Sequence, residues 1–376
     1  MNTMEELSEG AKSILDSLAD GAYVTDTNRR ILFWNRAAEE MLGWNKGDVL
    51  GRCCGDNILI HVDKDGHQLC LEESCPLHRS IVTGRPSEEP VLLFAQHKEG
   101  GRVPVEVTVA PILDESGEEI GGIELFRDMT LLMRDLMKAR MIQEHALECR
   151  LEDDPRVGFA TLQVSHGIVG GDFYRAVRLN ADEYALMIAD VMGHGIASAL
   201  YCMQMRALWD ELEELAGDPG ALMTAMNSRL HRLAQRDLYF ATAAVVVLNV
   251  STGMFRYAMA GHPPILILCV GGGFRRLTAP GMALGLIGSI KFEIREGQLL
   301  EGESLLMYTD GALELIDESG CQLGMEGLLE ICRKEGLPLK LAGLRRIEER
   351  LLTYSDGLRF QDDLTMLAFS RLLGGE

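Results

Sequence analysis

From Ser13 to Thr130 the apolar positions come in short, strand-length runs separated by polar turns. Gly21–Thr27 and Arg30–Trp34 read as a hairpin turned at the polar Thr27-Asn28 pair. Asn35 is placed to cap a helix over Arg36–Leu42, which Gly43 ends. Three more strands follow at Pro90–His97, Val103–Pro111 and Ile120–Arg127. They are joined by Lys98-Glu99-Gly100-Gly101 and Asp114-Glu115-Ser116-Gly117, both rich in residues that tolerate positive φ. A strand pair, helices and then a three-stranded meander make an α+β plan.

The period changes at Met129, after which neither Gly nor Pro occurs until Pro155. Positions 129, 132, 136, 139, 143, 146 and 150 keep 3–4 spacing and read Met, Leu, Leu, Ala, Gln, Ala, Arg. This predicts a helical linker, either a parallel coiled coil that weakens at Gln143 and Arg150 or an amphipathic helix packed on its own domain. Beyond Arg156, apolar strands such as Phe159–Val164, Tyr184–Ile188, Ala243–Val250, Pro264–Cys269 and Ser304–Tyr308 alternate with helical stretches. The longest helical stretches are Ile196–Leu215, Pro219–Leu233 and Leu337–Leu352. Two antiparallel sheets covered by helices fit this order. The expected division is therefore a sensor-sized domain over 1–128, a linker over 129–155 and a larger domain over 156–376.

Composition narrows the function classes. With 47% hydrophobic and 25% charged residues the chain is globular. Its net charge of -21, from 36 basic and 57 acidic residues, makes a nucleic-acid backbone a poor partner. No apolar run approaches the roughly 18 residues that span a bilayer, and the acidic start MNTMEELSEG lacks the layout of a signal peptide. Nine cysteines without a secretion signal favour reduced thiols or a metal site over disulfides. The expectation is a cytoplasmic protein that binds neither nucleic acid nor membrane.

Several residues of the first zone resemble a PAS sensor domain. They are Asp20-Gly21, Thr25-Asp26, Ile31-Leu32-Phe33-Trp34-Asn35 with Ala37-Ala38-Glu39, and Leu50-Gly51-Arg52.

In the third zone four short segments each place an aspartate where a strand meets a turn: Gly170-Gly171-Asp172-Phe173-Tyr174, Ile188-Ala189-Asp190-Val191-Met192-Gly193-His194-Gly195, Tyr308-Thr309-Asp310-Gly311 and Gln361-Asp362-Asp363-Leu364-Thr365. Any one alone reads as a turn. Together they put carboxylates beside apolar strands whose interiors reject a lone charge. Carboxylates gathered at strand ends repel one another and call for cations. Hard oxygen donors select Mg²⁺ or Mn²⁺, and two such ions sharing a carboxylate can hold a hydroxide suited to in-line attack on phosphorus.

In order and spacing these segments, with Ala260-Gly261-His262-Pro263-Pro264, resemble the PPM-type serine/threonine phosphatases, in particular the SpoIIE-like, sigma-factor-regulator branch. The resemblance implies an αββα sandwich and a metal-dependent protein phosphatase that hydrolyses phosphoserine or phosphothreonine by a metal-bridging hydroxide. It implies that Asp190 bridges two ions (Mn²⁺ or Mg²⁺) with help from the Val191 carbonyl. Asp310 and Asp362 would serve the other ion, and Asp172 would act chiefly through metal-bound water, so that Asp172 and Asp190 form the catalytic pair. Asp363 and Gly311 belong to the same segments, Asp363 as an organiser of its loop. Thr242 and His262 lie in family-like segments and read first as structural, and His194 reads as helix-start geometry. Many relatives carry an acid where this chain has Arg175, a residue that could attract phosphate. The implied partner is a phosphorylated protein, an anti-sigma-factor antagonist of STAS type, with a homodimer formed through the PAS domain and linker. The competing reading is a non-catalytic regulator that only binds a phosphoprotein. A GGDEF cyclase is excluded, because the glutamate is missing after Gly170-Gly171-Asp172.

The sensor zone holds its own cluster. Cys54, His61, Cys70 and Cys75 could close a zinc site, hold an iron–sulfur cluster or act as a redox switch, though the spacing is not that of a standard ribbon. Buried unligated thiols are the plainer alternative. A flavin photoreceptor is disfavoured, since the residues that should flank its reactive cysteine at Cys54 are absent.

Overall fold

The computed structural model describes residues 8–63, 66–70, 75–233, 239–317, 319–355 and 360–372. The first seven residues, which bore on the leader reading, lie outside them. The chain divides into two compact units, one ending at Leu136 and the other beginning at Met137.

The first unit opens with α1 (Glu9–Asp16), the hairpin β1 (Gly21–Asp26) and β2 (Ile31–Trp34), and the helices α2 (Arg36–Leu42), α3 (Lys46–Val49) and α4 (Pro76–Thr83). The meander β3 (Val91–Gln96), β4 (Arg102–Leu113) and β5 (Glu119–Asp128) completes an antiparallel sheet of order β2-β1-β5-β4-β3. The α+β plan expected from the sequence is present. Asn35 shows why the hairpin passes directly into α2. Its Oδ1 accepts from Ala38 N–H of the helix at 2.9 Å and from Ala22 N–H of β1 at 2.9 Å. Gly43 ends the helix at φ 74°, a conformation costly for any residue with a Cβ. Tyr23, Trp34, Phe126, Leu42 and Ile58 fill the core between sheet and helices.

Helix α5 (Thr130–Leu147) starts where Thr130 N–H donates to Asp128 Oδ1 and crosses the boundary between the units. It stops at Leu147, short of the Arg150 expected from the periodicity. Arg206 Nε donates to Ala146 O and Arg175 Nη1 to Glu148 O, so the carbonyls at its end are met by side chains of the second unit. Met133, Gln143 and Leu147 are its buried positions.

The second unit has β6 (Val157–Val164), β7 (Phe173–Arg178), β8 (Glu183–Val191), α6 (Ile196–Leu212), α7 (Pro219–Leu233), β9 (Ala241–Asn249) and β10 (Met254–Ala260). Next come β11 (Ile265–Leu268), β12 (Phe274–Leu277), β13 (Arg295–Gln298), β14 (Ser304–Tyr308), α8 (Gly324–Arg333), α9 (Leu341–Tyr354) and β15 (Leu364–Arg371). Two antiparallel five-stranded sheets form, ordered β13-β10-β9-β8-β7 and β12-β11-β14-β15-β6. Alternate side chains of β8 and β9 go to opposite faces, as a strand period of two requires. Leu186, Ile188, Val246 and Leu248 meet Ile267, Leu305, Met307 and Phe369 of the other sheet. Met187, Ala189, Val245 and Val247 face α6 and α7, which bring Met205, Trp209 and Met223. On the far side Leu306, Tyr308 and Met366 pack under α8 and α9 through Leu328, Leu344 and Ile347. The result is the αββα sandwich. Among the described residues no helix is long and apolar enough to cross a membrane.

Candidate active site

Each sheet contributes two of the four aspartate segments, at strand ends. Asp172 immediately precedes β7 and Asp190 is the penultimate residue of β8, while Asp310 follows β14 and Asp362-Asp363 precede β15. The antiparallel order β9-β8-β7 in one sheet and β14-β15-β6 in the other brings these ends to one edge of the sandwich.

The carboxylates feel one another. Asp172 is 1% exposed, and burial first, then Asp363, push its pKa well above the ordinary carboxylate range. Asp190 is raised by burial and by Asp172, Asp310, Asp362 and Asp363 together. Burial, Glu314 and Asp362 lift Asp310 to about 6. Two carboxylate oxygens of the cluster, Asp172 Oδ1 and Asp310 Oδ1, stand without a hydrogen-bond partner although buried, as does the Thr365 hydroxyl. Such orphaned acceptors are costly unless something fills them. Among the described residues no three His, Cys, Asp or Glu side chains converge tightly enough to enclose an ion as they stand. The oxygen-only donor set, the mutual repulsion and the two orphaned carboxylate oxygens nevertheless fit divalent cations of the Mg²⁺ or Mn²⁺ kind.

A surrounding frame fixes the cluster. Thr309, fully buried, donates from Oγ1 to Asp172 Oδ2 at 2.9 Å and accepts Thr365 N–H at 2.9 Å. Asp363 uses both oxygens, accepting Gly171 N–H at 2.5 Å and His166 N–H at 2.7 Å. Those two bonds pull its pKa down against a larger rise from burial. Asp362 Oδ1 accepts Asp363 N–H at 2.7 Å. Gly311 is tight for space, because a Cβ there would collide with the Asp363 carbonyl oxygen. At Gly171 a Cβ would come within 3.2 Å of the Val191 carbonyl oxygen, which places that carbonyl beside the Asp172 loop.

Thr242 is the β-ladder partner of Asp190, and its Oγ1 lies 2.8 Å from His262 Nδ1. His262 is buried with Nε2 unpartnered, and burial lowers its basicity to about 3, so it is neutral. Both residues thus back the Asp190 strand. The exposed His194 stacks at 5.2 Å, tilted, on His166. Arg175 reaches the end of the linker helix at Glu148 O. Sequence reasoning had no role for Thr309 or His166, and it read Gln143 only as a broken seam. Gln143 touches the site loop at Gly170.

In the sensor unit Cys54, His61, Cys70 and Cys75 are all buried, with every cysteine a free thiol. His61 N–H donates to Cys70 Sγ at 3.1 Å. Unforeseen is Glu124, 1% exposed, whose Oε2 accepts from the Tyr23 hydroxyl at 2.8 Å and whose Oε1 lies 3.6 Å from His61 Nε2. Burial raises Glu124 to about 8 and lowers His61 to about 4, so at neutral pH the two meet uncharged rather than as an ion pair.

Comparison with known proteins agrees with this arrangement. Residues 180–372, just over half of the chain, match the family described as Stage II sporulation protein E (SpoIIE), and residues 11–129 match the PAS fold. Phosphoserine phosphatase RsbP of Bacillus subtilis (strain 168) is 29% identical over 184 residues, covering 48% of this chain and 45% of RsbP. The chain thus spans less than half of that relative. Phosphoserine phosphatase RsbU of the same organism is 24% identical over 306 residues, 81% of this chain and 88% of RsbU. Among solved structures, the SiaA-PP2C domain of Pseudomonas aeruginosa superposes with a TM-score of 0.57 at 23% identity, covering 64% of this chain and 98% of that one.

Proposed function

Since the chain belongs to the SpoIIE family, we propose that it is a metal-dependent protein phosphatase, regulated by its PAS domain, that hydrolyses phosphoserine or phosphothreonine on a signalling protein. One observation carries the reading: carboxylates from four distant segments, buried or half-buried, share one edge of the sandwich, with Asp172 Oδ1 and Asp310 Oδ1 unpartnered. A module that only bound a phosphoprotein would gain nothing from gathering negative charge where a phosphate must sit.

Asp190, Asp310, Asp362 and the Val191 carbonyl would hold two divalent ions, with Asp172 acting at one remove. Bound there, such ions supply a water-derived nucleophile at neutral pH and offset charge on the phosphoryl oxygens. The chain does the positioning. Thr309 fixes the rotamer of Asp172, Asp363 ties the Gly171 turn to β15, and the Thr242–His262 pair backs Asp190. Because these groups sit on strand ends rather than free loops, their geometry is set before substrate arrives.

The names of RsbP and RsbU support a phosphoserine substrate, and the resemblance to sigma-factor regulators extends that to a STAS-type antagonist. The regulated form we propose is a homodimer paired along α5, where Leu131, Met141 and Ile142 are each more than 60% exposed. The test is hydrolysis of p-nitrophenyl phosphate in Mn²⁺ by wild type, Asp190→Asn and Asp310→Asn. Turnover by wild type alone is expected. Metal-independent turnover, or silence of the wild type with no ion bound, would put the binding-module reading in its place.

A further inference from the structure

One side chain of the linker helix enters the site loop. Gln143, near the end of α5 and 8% exposed, donates from Nε2 to Gly170 O at 2.7 Å, and Gly170 N–H donates back to its Oε1 at 3.2 Å. A single planar amide therefore satisfies both backbone groups of Gly170. That residue is itself confined, since a Cβ on it would stand 2.9 Å from Asp363 Oδ2 and from Ser165 Oγ. The next residue, Gly171, is held by Asp363, and the one after is Asp172. Further bonds seat the same end of the helix. Arg206 of α6 donates to Ala146 O at 3.0 Å, and Cys149 Sγ both accepts Ala176 N–H and donates to Ala176 O, each at 3.2 Å.

We propose that Gln143 is a positioning residue for the Gly170–Asp172 turn, so that ion affinity and turnover depend on how α5 is seated; this rests on the phosphatase reading and deepens it. A buried amide that both gives and takes a hydrogen bond has few substitutes. Shifting the helix by one residue turns it about 100° and offers Ile142 or Glu144 in place of Gln143. Ile142 can neither donate nor accept, and the Glu144 carboxylate cannot donate to Gly170 O. The buried Gly170 then loses the partner of both its N–H and its C=O unless the loop moves with the helix. Movement of that turn displaces Asp172. The helix that leaves the sensor unit therefore ends on the backbone next to the catalytic carboxylates.

The test compares full-length wild type with Gln143→Leu, Gln143→Glu and, as a control, Glu144→Gln, an exposed neighbour paired with Arg140. Mn²⁺ affinity is read by calorimetry on chelator-stripped protein, kcat and KM on a phosphoserine protein, and hydrogen exchange on the peptide spanning Gly170–Asp172. Gln143→Leu is expected to weaken ion binding roughly 10–100-fold, the range seen when an outer partner of a metal ligand is lost. It should also lower kcat more than it raises KM and speed exchange at Gly170. Gln143→Glu, which keeps the acceptor only, should fall between, and Glu144→Gln should match wild type. If Gln143→Leu does not fold, Gln143→Glu decides. Wild-type ion affinity and exchange in the glutamate and leucine variants, with an active wild type, would overturn this proposal alone. A wild type that binds no Mn²⁺ and releases no phosphate would instead bring down the phosphatase reading, and this proposal with it.

Discussion

Thr309→Val probes the frame around the carboxylates with almost no change of volume. The hydroxyl is fully buried and does two jobs, donating to Asp172 Oδ2 and accepting Thr365 N–H, each at 2.9 Å. Valine leaves the Thr365 amide unpaired, which costs about 1–3 kcal/mol, and removes the hydrogen bond to Asp172, about 0.5–1.5 kcal/mol. The two share one atom and the loop relaxes, so a loss of about 2–4 kcal/mol from the stability of the second unit is expected. Urea unfolding of the full chain, followed by hydrogen exchange at peptides of β14 and β15, reads this directly. Exchange at Thr365 should accelerate most. Phosphatase turnover should fall as well, because Asp172 loses the contact that fixes its rotamer, whereas Thr309→Ser should restore both within about 1 kcal/mol for the lost methyl. A Thr309→Val protein with wild-type unfolding and turnover would refute the frame as described.

The sensor unit should respond to pH through Glu124 and His61. Glu124, raised to about 8, contributes stability that is present below pH 4.5 and lost as pH climbs through 8; His61, lowered to about 4, contributes stability that is present above pH 6.5 and lost as pH falls through 4. The two oppose each other between pH 4.5 and 6.5. Of this pair only Glu124 acts above 6.5, and its share of the unit's stability should fall by about 1.5 kcal/mol between pH 6.5 and 8, against an opposing rise from Cys53, which its hydrogen bond with Cys54 lowers to about 6. Glu124→Gln should flatten that limb in hydrogen exchange of sensor peptides; an unchanged slope contradicts the burial of a protonated acid there. If α5 pairs two copies, Met141→Glu with Ile142→Glu should shift sedimentation from dimer to monomer while leaving the melting of each unit within about 0.5 kcal/mol, as expected for exposed positions. A monomeric wild type would dispose of the pairing.

The aspartates were legible because each sits at a local discontinuity where an apolar strand meets a turn, and four such places in one domain are hard to explain as turns alone. Asn35 and Gly43 were legible for the same local reason. What holds the carboxylates was not, because it depends on contacts between positions far apart in the chain. Thr309 and Asp172 are 137 residues apart, and Asp363 and Gly171 are 192 apart. Gln143 was misleading. As a polar residue in an apolar stripe it looked like a fault in a helix seam, whereas its partner is a backbone amide 27 residues on. Glu124 lies on β5 with a pattern indistinguishable from a solvent-facing strand residue, and only the Tyr23 hydroxyl and His61 across the core explain its burial. Short or polar elements such as α4 and β13 lacked the periodicity that revealed the longer ones.

The central claim, that these aspartates make a metal-dependent phosphatase, is tested most directly by one titration. Chelator-stripped wild type and Asp190→Asn are titrated with Mn²⁺ while phosphate release from a phosphoserine protein is followed. The account predicts no release without the ion, saturable activation of the wild type, and none in Asp190→Asn. Release that needs no ion, or that survives in Asp190→Asn, would contradict it.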